Sequence, residues 1–215
     1  MADTTAHLQE QFETVQQQRE AGRLGMWLFL ATEVLFFGGL FLGYTVYRTK
    51  YPAAFVLGSH HLDVVLGTIN TAVLLLSSFT MALAVHAAMT SRRRRQAVFL
   101  MATIVLGCAF LGIKGYEYTH KYHEHLVPGV RFDLKGEHAS QVELFFGFYF
   151  AMTGLHATHM VIGIGLLAML MVMAWRGRFD ANYYAPVEIT GLYWHFVDIV
   201  WIFLYPLLYL IGRHG

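Results

Sequence analysis

The 215-residue chain is 56% hydrophobic and only 13% charged, with a formal net charge of +1. Soluble domains carry about 25% charged residues, so this composition excludes an ordinary soluble fold. The net charge is uninformative in such a chain, nothing in it suggests nucleic-acid binding, a nucleotide loop or a nucleophilic triad, and the single cysteine, Cys108, excludes an intrachain disulfide.

Residues 1–23 are polar and Gln-rich, without the short apolar core and cleavage site of a signal peptide, and are expected to form a cytoplasmic N-terminal tail. Leu24–Tyr47 then gives 24 residues in which Glu33 is the only charged one. Val64–Thr90 gives 27 residues free of Asp, Glu, Lys and Arg. Ala97–Ile113 gives 17 and reaches Tyr116 by taking in Lys114. Leu144–Trp175 gives 32, and Ile189–Gly212 gives 24 interrupted only by Asp198. A bilayer core of about 30 Å needs about 20 helical residues. The expected fold is therefore all-α, an integral membrane bundle of five transmembrane helices in one domain, 24–212. The spans are about 24–47, 64–90, 97–116, 144–175 and 189–212, with an outer loop over 117–142. The 32-residue run exceeds the core thickness and is expected to tilt or project. Four arginines in the tight turn after the second span, Arg92–Arg95, favour an N-terminus inside and a C-terminus outside.

A carboxylate near the bilayer centre costs roughly 2.5–3.5 kcal/mol on insertion scales, so Glu33 requires a partner. Glu33 and Asp198 are each tenth in their runs. Spans one and five run in the same direction, so both carboxyls lie roughly 14 Å from the inner end. His156 and His159 fall near the middle of span four at i, i+3, and His195 stands three before Asp198. Counting thus predicts a mid-membrane polar layer of Glu33, His156, His159, His195 and Asp198. Four readings compete for it: polar glue between helices, a proton relay, haem ligation and a transporter site. No C-x-x-C-H haem attachment motif is present, and broken half-helices in paired repeats are not evident.

Other polar features are weaker. Gly39 with Gly43, Gly147 with Ala151, and Gly163 near Gly165 carry spacings that let helices approach closely. Lys114 and Glu117 read as an interfacial i, i+3 ion pair. The outer histidines His60, His61, His120, His123, His125 and His138 resemble a zinc or copper site in composition, but a solvated loop is the simpler reading and no metal is assigned. The arginine cluster either enforces topology or holds anionic headgroups, with Arg92 and Arg93 as candidate lipid contacts.

Several segments in order resemble cytochrome c oxidase subunit III, the haem-copper oxidase subunit without a redox centre. They are GRLGMWLFLATEVLFFGGLF (22–41), INTAVLLLSSFTMALAVHAA (69–88), GYEY (115–118), TGLHATHMVIG (153–163) and LYWHFVDIVWIFLY (192–205). Many members have seven spans, and this chain resembles the last five. The arm that completes a lipid-filled cleft is then missing or supplied by another chain.

The resemblance implies a non-catalytic subunit of a proton-pumping terminal oxidase in the bacterial inner membrane, a cytochrome c oxidase whose complex oxidises cytochrome c and reduces dioxygen to water. Such a subunit packs directly on subunit I, shares the complex with subunit II, and is open to a respiratory supercomplex. No cofactor is expected in this chain, haems and copper are expected in the partner subunits, and structural phospholipids are expected on it. Glu33 matches the family's reactive intramembrane carboxyl. Arg23 matches a family arginine and becomes a candidate phosphate contact, with His86 beside it. Thr32-Glu33-Val34 and the second span look nearer to the cytochrome c branch. The alternatives are subunit III of a quinol oxidase, a homologue associated with nitric oxide reduction and, in other classes, a haem b anchor or a transporter.

Overall fold

The computed structural model describes residues 10–129, 131–181 and 183–211. The first nine residues of the expected tail, and the expected end of the last span at Gly212, lie outside them. The described chain forms α1 (Val15–Lys50), α2 (Pro52–His60), α3 (Val64–Met89), α4 (Arg93–His123), β1 (Leu126–Val127), β2 (Arg131–Phe132), α5 (Ala139–Trp175) and α6 (Ala185–Tyr209). All but α2 among the helices are long and apolar enough to cross a membrane, five in all among the described residues.

Local chemistry sets the helix ends. The Thr14 side chain accepts from the Gln17 amide at 3.1 Å, which starts α1 within the stretch expected as a tail. Pro52 opens α2 directly after Tyr51, since a first-turn proline forfeits no helical hydrogen bond. Asp63 accepts from the amides of Val65 and Leu66 at 2.8 and 3.1 Å and starts α3. The tight turn into α4 places Ser91 at φ 55°, and Gly177 at φ 70° turns the chain after α5. α4 runs through to His123, so seven residues expected in the outer loop are helical, and the loop closes as a small hairpin pairing Leu126 with Phe132. α5 has 37 residues, roughly 55 Å of helix, and so projects beyond the bilayer core.

α6 is the centre of the bundle, against α3 and α5, while α1 lies outside and touches mainly α6 and α5. The most apolar window of α6 is 56% buried, against 11% for that of α1. Trp194 of α6 locks the centre. A Cβ on Gly107 of α4 or on Gly163 of α5 would meet its ring at 2.9 Å, and its indole N–H donates to Ser77 Oγ of α3 at 3.1 Å. Of the small residues read from spacing, Gly163 makes such a close approach. A Cβ on Gly39, Gly147 or Gly165 would meet nothing within 4 Å. One end of the bundle carries the Arg92–Arg95 turn and is called the arginine end. The other carries α2, the hairpin and the outer-loop histidines, and is called the histidine end.

Candidate functional site

The five residues of the expected polar layer fall into three separate places. Glu33 of α1 meets His159 of α5, with Oε2 to Nε2 at 3.2 Å. The other ring nitrogen, Nδ1, lies 2.9 Å from the Leu155 carbonyl oxygen. A carbonyl oxygen can only accept, so Nδ1 carries a proton and donates. The Glu33 contact then needs one further proton, held either as a carboxylic acid donating to Nε2 or as imidazolium donating to a carboxylate. The pair therefore shares a single proton between two helices. Tyr193 of α6 donates to the His159 carbonyl at 3.0 Å and stacks on its ring, and Phe37 closes the other side with a centroid separation of 5.5 Å. The side chains of His159 and Glu33 are 12% and 17% exposed, so the proton sits at the surface of the bundle rather than at its centre.

His195 and Asp198 form the second place, at the α3–α6 contact. Ser78 Oγ lies 2.7 Å from His195 Nδ1. Asp198 is buried beside Ser78, on the same α3–α6 contact. His156 is the third. It is three residues from His159, yet the 60° between their directions turns it inward. It packs edge-on against Phe110 of α4 at 5.3 Å and tilts on Trp201 of α6 at 5.2 Å, with neither ring nitrogen hydrogen-bonded.

The lipid-contact candidates lie at the arginine end. Arg23 Nη2 donates to both Glu188 oxygens, at 2.7 and 2.9 Å, so its charge is already matched to α6. His86 and Arg92 are exposed. Arg93 lies over Gly177, where a Cβ would meet its Nη1 at 2.3 Å. With Arg94 it rims a cavity of about 440 Å³ floored by Val98, Met101, Met171 and Trp175, a charged mouth over an apolar floor. Among the described residues no three His, Cys, Asp or Glu side chains are grouped to hold a metal ion.

A further cluster surrounds the ion pair expected from the i, i+3 spacing. Lys114 and Glu117 are buried within the bundle, 4% and 3% exposed. Lys114 Nζ donates to Glu117 Oε2 at 3.0 Å and lies against the hydroxyls of Tyr149 and Tyr209 at 3.3 and 2.5 Å. Both tyrosines donate to Glu117 Oε1, at 3.0 and 2.6 Å. Four rings, of Tyr118, Tyr149, Trp201 and Tyr209, surround the ammonium within 4.9–5.8 Å. The i, i+3 spacing signalled the pair, but the two tyrosines that enclose it are 35 and 95 residues away from Lys114, beyond any local pattern.

Comparison with known proteins gives a match to the family model for cytochrome c oxidase subunit III over residues 7–213. The chain is 31% identical over 204 residues to quinol oxidase subunit 3 of Bacillus subtilis (strain 168), covering 94% of each chain. It is 30% identical over 195 residues to the probable quinol oxidase subunit 3 of Staphylococcus haemolyticus, covering 90% of each. Coverage this complete means that these relatives are chains of nearly the same length.

Proposed function

The chain belongs to the cytochrome c oxidase subunit III family, and from that membership we propose that it serves a haem-copper terminal oxidase whose electron donor is a quinol. The observation that carries the donor is the likeness, over 90–94% of each chain, to quinol oxidase subunits of nearly the same length. The short segments that looked nearer to the cytochrome c branch weigh less than identity spread over 204 residues. In this reading the redox chemistry belongs to haems and copper in partner subunits. The present subunit packs directly on subunit I, in one complex with subunit II. It lies in the bacterial inner membrane with its N-terminus inside.

Its own contribution is support. The Glu33–His159 pair keeps one proton at a bundle surface where a partner helix or a lipid lies, and sustains proton uptake by the complex. The cavity under Arg93 and Arg94 receives a phospholipid, its phosphate on the guanidinium groups and a chain on the Met101–Met171 floor.

The test is purification of the oxidase with this chain tagged, followed by oxygen consumption with a reduced short-chain quinol or with reduced cytochrome c. Quinol-driven consumption, with haem bands assigned to the partner chains, is the expected result. Consumption driven by cytochrome c alone overturns the donor, and a b-type haem band in the isolated chain overturns the supporting role.

A further inference from the structure

The α3–α6 contact carries a histidine only half satisfied in the middle of the membrane. His195 Nδ1 meets Ser78 Oγ at 2.7 Å, with the Asp198 carboxyl buried beside the same hydroxyl. A neutral imidazole has one donating and one accepting nitrogen, and this bond uses one of them. Nε2 has no hydrogen-bond partner among the described residues, and the ring is half-buried, so this edge opens to the outside of the bundle. The other two mid-span histidines differ. Both nitrogens of His159 are answered within the chain, and His156 is shut inside, 1% exposed. His195 is thus the mid-membrane histidine whose free nitrogen a neighbouring molecule can reach.

Depth and surroundings select the neighbour. Ser78 is the fifteenth of 26 residues in α3, roughly 21 Å from its first residue and roughly 17 Å from its last. Phospholipid headgroups sit at the two surfaces of a core about 30 Å thick and do not reach this level, and acyl chains have no hydrogen-bonding group. A polar group left unanswered in hydrocarbon is costly, and membrane helices answer such groups by hydrogen bonds across their contacts. Around the ring, one or two turns away on the same faces, Leu75 and Ala82 of α3 and Ile199 and Ile202 of α6 are exposed. Ala82 is small enough to let another helix approach closely. The face is therefore apolar with one hydrogen-bonding point at its centre. Either tautomer of His195 satisfies the Ser78 bond, so a group that both gives and accepts, a hydroxyl or a carboxamide, answers Nε2 in each case.

We propose that the α3–α6 face seats a transmembrane helix of a partner subunit, whose hydroxyl or carboxamide side chain hydrogen-bonds His195 Nε2. The inference rests on the reading of this chain as one subunit of an oxidase complex and adds a surface by which a partner is held.

Photo-crosslinking of the assembled complex in its membrane tests it, with p-benzoylphenylalanine in place of Ile199 or of Leu75 and the captured peptide identified by mass. Capture of a transmembrane helix of another oxidase subunit is expected. The yield per inserted chain should fall about tenfold when His195→Phe removes the bond, and His195→Gln, which keeps a neutral amide near the Nε2 position, should recover most of it. Counting the chain in the membrane for each variant keeps a folding defect apart from a lost contact. Ser78→Ala removes the internal bond but leaves Nε2 and should keep most of the yield, whereas a loss equal to that of His195→Phe assigns the histidine to internal packing and overturns the site. Adducts with lipid only, adducts with a second copy of this chain only, or a yield indifferent to His195→Phe overturn it too. An intact oxidase complex without these adducts overturns this inference alone, whereas a chain that purifies without oxidase partners overturns the subunit reading and the site with it.

Discussion

His159 is held by three groups, each from a different part of the chain: Leu155 one turn before it, Glu33 on α1 and Tyr193 on α6. Because Nδ1 is committed to a carbonyl, the Glu33 contact is decided by whether a donor and an acceptor still face each other. Glu33→Gln keeps a neutral amide that can donate to Nε2, so subunit retention in the purified complex should match wild type. Glu33→Ala leaves Nε2 unpaired between α1 and α5 and should weaken retention by about 1–3 kcal/mol, read as a lower temperature of loss from the complex. Equal retention by both variants would remove the pair from any structural role. Lys114 makes a stronger prediction. Lys114→Met strands a buried carboxylate and should destabilise the chain by about 3–5 kcal/mol. Lys114→Met/Glu117→Gln removes both charges and should recover most of that loss in a thermal melt, whereas additive losses would refute the coupling. Charges inside apolar runs marked these residues in the sequence, since each must find a partner in hydrocarbon. Which partner was not legible. Glu33 and Asp198 share a counted depth, yet they lie in different helix contacts, because depth fixes one coordinate and leaves the facing direction open.

The helices themselves were legible, because apolar runs of 17–32 residues with at most one charge leave few alternatives in a bilayer. Their ends were less so. α1 starts at Val15 and α4 continues to His123, since polar helical turns outside the membrane carry no hydropathy signal. Close packing was hardest to read. Gly39 and Gly163 look alike in sequence, but only the second abuts Trp194, and a glycine says nothing of the ring that fills its space. Gly163→Ala and Gly107→Ala should each force the Trp194 ring to shift and cost about 1–3 kcal/mol. Gly165→Ala, with open space around it and better helix propensity, should be neutral or slightly stabilising. Thermal unfolding in detergent separates the two classes, and equal shifts would refute the wedge.

At the scale of the molecule, α6 is a hub and α1 an outrigger. Across the α1–α6 boundary the Arg23–Glu188 pair spans 165 residues of sequence near the arginine end. Being half exposed it should matter little alone: Arg23→Glu with Glu188→Arg should restore whatever either single change costs, an effect within about 1 kcal/mol that fades with added salt. A large, salt-independent loss in the single variants, not rescued by the exchange, would mean that Arg23 binds something other than Glu188.

The peripheral place of α1 has a consequence for biogenesis. It leaves the ribosome first, yet His159 lies 126 residues beyond Glu33. At about 5–20 residues per second, Glu33 waits on the order of 10 s in the translocation machinery or the bilayer before its partner is made. During that interval nothing within α1 can satisfy the carboxyl, so the nascent chain depends on protonation, on a polar groove of an insertase, or on delayed lateral release. A subunit stable once complete is thus most exposed to misinsertion while its first helix stands alone.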